Sequence, residues 1–224
     1  MGQREAKTAL YEQFARMGKG LSNPTRLELL DLLAQGERSV EVLASVAGLG
    51  TSTASLHLQA LKSAGLVSSR REGNFIHYRL SGEDVGALFS LLRKVATQHL
   101  AEIDRAAEKY LGEILNVSSM IVGQAELLKR IKGGEVILLD VRPTLEYNSG
   151  HIPGALSVPL DNLGTFLKTL SKKENVVVYC RGAYCVMAYD AVRILKDSGR
   201  RAQRLQDGML EWRLAGLPVE IGAA

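Results

Sequence analysis

Cys180-Arg181-Gly182-Ala183-Tyr184-Cys185 lies between a strand-like run, Asn175-Val-Val-Val-Tyr179, and a helix-like one, Val186-Met-Ala-Tyr-Asp-Ala-Val-Arg-Ile-Leu195. Strand, short loop and helix are the repeating parts of a parallel α/β sheet. A thiol in such a loop meets backbone N–H groups that can turn inward and the positive end of the next helix, and both favour its thiolate. The chain contains two cysteines, and both are in this loop. A thiolate held this way attacks a sulfur–sulfur bond, and its low pKa lets it leave again in the return step, so no separate base is required.

The same rhythm extends outward from the loop. Gln124–Lys132 reads as a helix, Val136–Val141 as a buried strand, Asp161–Leu170 as a helix and Val176–Tyr179 as a strand. Val186–Lys196 is helical, Arg201–Leu205 a short strand and Gly208–Leu214 a last helix. Continuously apolar strands alternating with helices predict a parallel sheet covered on both faces.

The first half is built differently. Asn23-Pro24-Thr25 starts a helix with Pro just inside its beginning, and Leu27, Leu29, Leu30, Leu32 and Leu33 carry it to a stop at Gly36. Ser39 can cap a second helix, Val40–Ala47, and Thr51 or Ser52 a third, with Ala54, Leu58 and Leu61 inward and Gly65 closing it. Leu66–Arg71 and Asn74–Leu80 then alternate around Glu72-Gly73 as a hairpin. This order is the physical outline of a winged helix-turn-helix, whose second helix enters the major groove of double-stranded DNA while the hairpin follows the backbone. The outer face of the third helix carries Thr51, Ser52, Thr53, Ser55, His57, Gln59 and Lys62, side chains able to reach phosphates or base edges. Taken alone, the same face also reads as an ordinary solvated one. Between Thr51 and Leu80 the cations Lys62, Arg70, Arg71 and Arg79 stand against a single anion, Glu72.

From Gly82 to Leu115 an apolar stripe recurs every three to four residues, through Val85, Phe89, Leu92, Val95 or Ala96, His99, Ile103, Ala106 or Ala107, Tyr110 and Ile114. One continuous helix of that length would span about 50 Å. A small winged domain cannot cover it alone, so a dimer seam is the economical reading.

The bulk properties agree with this division. A chain of 224 residues has room for two modest domains, here residues 1–115 and 116–224. No apolar run approaches the roughly 18 to 20 residues of a membrane span. The polar N-terminus lacks a signal core, which makes the cytoplasm the default location. Two cysteines five positions apart form no disulfide framework; in a reducing compartment they read as reactive or metal-binding. A net charge of +4 permits a polyanionic partner without requiring one.

Three segments of the first half, LSNPTRLELLDLL (Leu21–Leu33), GTSTASLHLQALKSAGLV (Gly50–Val67) and RREGNFIHYRLS (Arg70–Ser81), resemble the ArsR family of bacterial repressors over roughly residues 10–115. The resemblance implies a homodimer joined through the N-terminal helix and the 83–115 helix. It places operator contacts on Ser52, Thr53, Ser55, His57 and Gln59, with Arg70, Arg71, Tyr78 and Arg79 of the wing nearby. Leu56 departs from the pattern, where relatives often carry a longer polar residue. Many relatives sense metals, but the family's cysteine pair falls here on Ser39 and Glu41. His99 and Glu102 supply only half of the family's zinc pair, whose other half falls on Gly86 and Leu88; half a site cannot give four tetrahedral ligands, and no metal site is expected.

Residues 120–220 resemble a single rhodanese domain. LLDVRPTLEYNSGHIPGALSVPL (Leu138–Leu160), VVVYCRGAYCVMAYDAV (Val176–Val192) and LQDGMLEWRLAGLPVE (Leu205–Glu220) carry the likeness, with Asp207 replacing the first of two usual glycines. The fold implied for the whole chain is a winged helix-turn-helix (α+β) domain followed by an α/β rhodanese-like domain with a parallel sheet. The resemblance implies that Cys180 takes sulfane sulfur from a donor, becomes a persulfide and passes it to a thiol, with Arg181, Gly182, Ala183, Tyr184 and Cys185 forming its loop. Asp140, Arg142 and His151 read as scaffold. Related folds grip phosphate or arsenate with Cys-x5-Arg, but position 186 is valine.

Cys185 has two readings: it resolves a Cys180 persulfide into a di- or polysulfide bridge, or it is a small buried residue starting the helix. A disulfide needs Cα atoms within roughly 7 Å, which a curled loop can reach. The expected function is a repressor that senses reactive sulfur through Cys180, the alternative a sulfurtransferase whose DNA-binding half serves self-regulation. Arg181 is the only cation in the loop, so polysulfide or a low-molecular-weight persulfide fits better than thiosulfate as the donor. No cofactor is called for.

Overall fold

The computed structural model describes residues 2–111 and 121–222. The chain divides into two compact units, Met1–Leu91 and Leu92–Ala224.

The first unit contains α1 (Gln3–Leu21), α2 (Pro24–Leu33), β1 (Arg38–Ser39), α3 (Val40–Val46), α4 (Thr51–Ser63), β2 (Val67–Glu72), β3 (Phe75–Leu80) and the first part of α5 (Glu83–His99). Asn23 caps α2 by accepting the Arg26 N–H at 3.1 Å, and Ser39 caps α3 by accepting that of Val42 at 3.4 Å. The expected hydroxyl cap on α4 is not made. Thr51 is already the first helical residue, so Gly50 takes the cap position without a side chain to offer. Ala54, Leu58 and Leu61 of α4 are fully buried with Leu29, Leu30 and Leu43 of the preceding helices. The hairpin turns at Gly73-Asn74, one residue later than the sequence suggested, with Gly73 at φ 58°. It gains a third strand, since Arg38 of β1 pairs with Tyr78 of β3.

The second unit includes the rest of α5 and α6 (Glu102–Leu111). The single helix expected over 83–115 is therefore interrupted at Leu100–Ala101. The Ile103 N–H turns back to the Leu100 carbonyl at 3.1 Å, a tighter closure than the α-helical one. Glu102 and Asp104 then supply the acidic first turn that a new helix start favours. Residues 112–115, and the Asn116–Ser119 junction, lie outside the described residues.

There follow β4 (Ile121–Val122), α7 (Gln124–Lys132), β5 (Ile137–Asp140), α8 (Thr144–Asn148), β6 (Leu156–Ser157), α9 (Leu163–Phe166), β7 (Asn175–Tyr179), α10 (Val186–Asp197), β8 (Arg201–Leu205) and α11 (Met209–Leu214). Among the described residues the strands form one parallel sheet in the order β4-β8-β7-β5-β6. The pleat of β7 sends Val176 and Val178 to a core shared with Ala188, Ala191 and Val192 of α10; Cys180, the next residue in that alternation, joins it. Val177 and Tyr179 face the opposite core, with Leu127 of α7 and Met209 and Trp212 of α11. The helix expected over 161–170 shrinks to a 3₁₀ turn and α9, because the N–H groups of Lys168 and Thr169 bond three residues back and the Thr169 hydroxyl also occupies the Phe166 carbonyl.

One contact in the winged unit admits a direct test. Gly20, near the end of α1, is buried where an added Cβ would stand 2.7 Å from the Ala64 Cβ and 2.8 Å from Leu66. Arg26 of α2 donates to the Gly20 and Lys19 carbonyls, at 2.6 Å each, and so closes the end of α1. Gly20→Ala is expected to destabilise the winged unit by about 1–3 kcal/mol through overpacking, read as a lower midpoint in urea; an unchanged midpoint would show that the helices separate freely.

Candidate functional site

The loop after β7 sits at the carboxyl end of the sheet, where open α/β folds place their sites. Cys180 directly follows β7 and is 1% exposed. Cys185 stands half-buried at the N-cap of α10. The two are joined as a disulfide, with Cα atoms 6.2 Å apart. The two features expected to act on Cys180 are thus divided. The helix start belongs to Cys185, while Cys180 is held at the strand end, its carbonyl accepting the Met209 N–H at 3.1 Å. Within the loop the Cys185 N–H is spent on the Gly182 carbonyl, also at 3.1 Å.

Arg181 does not reach toward an incoming anion. Its guanidinium forks onto the fully buried Glu146 of α8, with Nε 3.0 Å from both carboxylate oxygens and Nη2 2.6 Å from Oε1. This is a correction: the loop's cation is an anchor, because a buried carboxylate needs a partner more than a solvated donor does. Asp140 and Arg142 form a second buried pair, with Arg142 Nη2 2.6 Å from Asp140 Oδ2 and 2.8 Å from the Gly150 carbonyl. His151 stacks on Tyr147 with ring centroids 3.7 Å apart. Burial pushes the Tyr179 hydroxyl well above its usual range, so it stays neutral and accepts the Ile152 N–H at 3.1 Å. These groups hold the turn that backs the loop.

Three supports were not visible in the spacing of the sequence. Gly208 lies so close that an added Cβ would stand 2.2 Å from the backbone of Arg181 and Gly182. Tyr189 of α10 donates to the Ala183 carbonyl at 3.0 Å, and the Arg204 guanidinium lies 4.4 Å from the Tyr189 ring. From α5, Thr97 Oγ1 is 3.2 Å from the Tyr184 hydroxyl, and the Arg93 guanidinium lies 5.9 Å from the Tyr184 ring and 3.7 Å from the Glu211 carboxylate. Burial raises the Glu211 carboxyl above the usual range, and Arg93 opposes that rise. Only the proximity of Gly208 had a signal, its place in the LQDGMLEW segment.

In the winged unit, Ser52, Thr53, Gln59 and Lys62 are exposed along α4, with Ser55 and His57 partly so. Gln59 donates to Ser55 at 3.3 Å, and Lys62 reaches across to Ser69 of β2 at 2.7 Å. Arg71 and Arg79 are exposed on the hairpin. Arg70 is exposed too, but it is paired with Glu37, at 2.5 Å, and with Glu72. Tyr78 is a correction as a surface contact: it occupies the middle strand of the sheet and is 4% exposed, a core residue of this unit.

Two family models match the chain, "Bacterial regulatory protein, arsR family" over residues 23–69 and "Rhodanese-like domain" over residues 123–215. The chain is 55% identical over 222 residues to the HTH-type transcriptional regulator Rv0324 of Mycobacterium tuberculosis, covering 99% of this chain and 96% of that protein. It is 33% identical over 86 residues to a protein named sulfurtransferase from Allochromatium vinosum, covering 38% of this chain and 78% of that one. A solved structure, the homodimeric winged helix-turn-helix DNA-binding domain (fragment 1-100) of Mb0332 from Mycobacterium bovis, is 55% identical, covers 46% of this chain and 94% of its own, and superposes with a TM-score of 0.42. With both domain models matched in order and a regulator aligned along nearly its whole length, the chain belongs to the ArsR-type helix-turn-helix transcriptional regulators that carry a C-terminal rhodanese domain.

Proposed function

We propose that this regulator is a homodimeric repressor that senses reactive sulfur at the Cys180–Cys185 loop. The observation that carries the reading is the cysteine pair itself: the chain's only two cysteines meet across one loop, with Cα atoms 6.2 Å apart, in a chain that also carries a DNA-binding fold. In the reduced form the Cys180 thiolate attacks the outer sulfur of a persulfide, RS–SH, giving a Cys180 persulfide and releasing RS⁻. Cys185 then attacks the inner sulfur, closing the Cys180–Cys185 bond and expelling HS⁻. The dithiol is oxidised by two electrons, and the donor is reduced to a thiol and hydrogen sulfide. With Arg181 engaged by Glu146, the loop offers no free guanidinium to thiosulfate, which favours a polysulfide or persulfide as donor.

A change at the loop must reach the DNA-binding helices for any signal to pass. The proposed conduit is α5, whose Thr97 and Arg93 touch Tyr184 and whose first turns carry the core residues Val85 and Phe89. The dimer seam is assigned to apolar side chains left uncovered on α1 and α5, among them Tyr11 (58% exposed), Phe14 (62%) and Leu91 (57%).

The second reading, a sulfurtransferase in its own right, is favoured by the likeness to the Allochromatium protein. Rapid multiple turnover from thiosulfate to cyanide, indifferent to operator DNA, would decide for it.

DNA mobility shifts at fixed salt are expected to show that polysulfide treatment lowers affinity at least tenfold and that dithiothreitol restores it. Cys185→Ser should retain added sulfur on Cys180 by mass spectrometry, whereas Cys180→Ser should take up none; equal affinity before and after complete modification would refute the sensor. Arg93→Ala should be modified like the parent protein yet lose the DNA response. Phe14→Glu should convert the dimer to a monomer in sedimentation without unfolding it, because the side chain is exposed; an unchanged sedimentation coefficient would remove α1 from the seam.

A further inference from the structure

Leu56 occupies an unexpected place. In α4 the buried residues Ala54, Leu58 and Leu61 define the inward face, and Ser52, Leu56, Gln59 and Ser63 follow at i, i+4, i+7 and i+11 along the opposite one. Leu56 is thus the centre of the outward ridge, 68% exposed in a helix whose other leucines are fully buried. The side chain lines a cleft together with Thr51, Ser52 and Ser55 of the same helix, Glu41 of α3 and Ile76 of the hairpin. Ile76 is itself 42% exposed.

The cleft's charge decides what it can take. The Glu41 carboxyl is held below its usual range, chiefly by a hydrogen bond from Ser39, so it is anionic near neutrality. An anion repels a phosphate. The exposed cations Lys62, Arg71 and Arg79 do not line the cleft and are left to contact the DNA backbone. What remains for the cleft is a surface with both apolar and hydroxyl character. In the major groove the apolar feature is the C5-methyl group of thymine, and the neighbouring base edges supply donors and acceptors.

We infer that Leu56, with Ile76 beside it, is a specificity-determining residue that reads a thymine methyl in each operator half-site, with Ser52 and Ser55 on the adjoining base edges. The inference rests on the DNA-binding reading of this unit and adds the chemical feature that its recognition helix selects.

The test uses the full-length reduced protein and a duplex enriched by it from a random-sequence pool. Each thymine in the duplex is replaced singly by deoxyuridine, which deletes the methyl group and leaves the Watson–Crick pair intact. One position per half-site is expected to weaken binding by about fourfold, the equivalent of roughly 0.8 kcal/mol for one buried methyl. Leu56→Ala should bind the unsubstituted duplex by about the same factor more weakly and become indifferent to deoxyuridine at that position. The exposed site leaves the buried face of α4 intact, and circular dichroism checks the fold directly. No methyl-dependent position, or one that persists unchanged in Leu56→Ala, overturns the inference. So does Leu56→Ala altering sedimentation while leaving the methyl dependence intact, which would assign the residue to an interface between copies. Failure to enrich any duplex would count instead against DNA binding itself.

Discussion

The fork of Arg181 onto Glu146 is the interaction on which the cysteine loop depends. A carboxylate with no solvent exposure is costly to hold charged unless a cation meets it with good geometry, and removing one partner of such a pair typically costs about 3–5 kcal/mol. Here the partner is the residue immediately after Cys180, so the pair fixes the direction in which the chain leaves the strand. Gly208 presses on the same peptide from another side, and the Met209 N–H holds the Cys180 carbonyl. Two segments far apart in sequence, α8 and the start of α11, therefore converge on three consecutive residues, Cys180, Arg181 and Gly182. The loop is thus held at its first residues by α8 and α11, and at its far end by Tyr189 and by Thr97.

That arrangement also separates scaffold from chemistry. Asp140, Arg142 and His151 have the residue types of a catalytic group, but each is buried and bonded to its neighbours around the Gly150–Ile152 turn. The proposed sulfur chemistry needs no base among them, since a thiolate attack on a sulfur–sulfur bond moves no proton from carbon or oxygen. The Asp140–Arg142 pair shapes the wall behind the loop and keeps the neutral Tyr179 hydroxyl in reach of the Ile152 N–H.

Much of this was legible in the sequence, and the exceptions have physical causes. The buried strands β5 and β7 and helix α10 announced themselves by continuous or periodic apolar residues. The strands β1, β4 and β6 did not, because two residues are too few to show an alternation. The break between α5 and α6 carries neither Gly nor Pro, so no local signal marked it. Tyr78 was placed near the operator by the family resemblance alone, which does not say which face of the wing meets the core. Arg181 looked available because its partner lies 35 positions away, where spacing arguments do not reach. The same holds for Thr97 and Tyr184, which lie 87 positions apart.

The pairing of Arg70 with Glu37 and Glu72 has a thermodynamic consequence for the winged unit on DNA. A guanidinium already neutralised by two carboxylates must give up those contacts before it can displace a counterion from a phosphate. Each phosphate so neutralised steepens the dependence of log affinity on log salt by about 0.9. On the proposed DNA-binding reading, Arg70 adds nothing to that slope while its carboxylates hold it, and Arg71 and Arg79 are the wing cations left to supply it. On that reading, two acidic side chains of the winged unit, Glu37 and Glu72, help to set the ionic-strength profile.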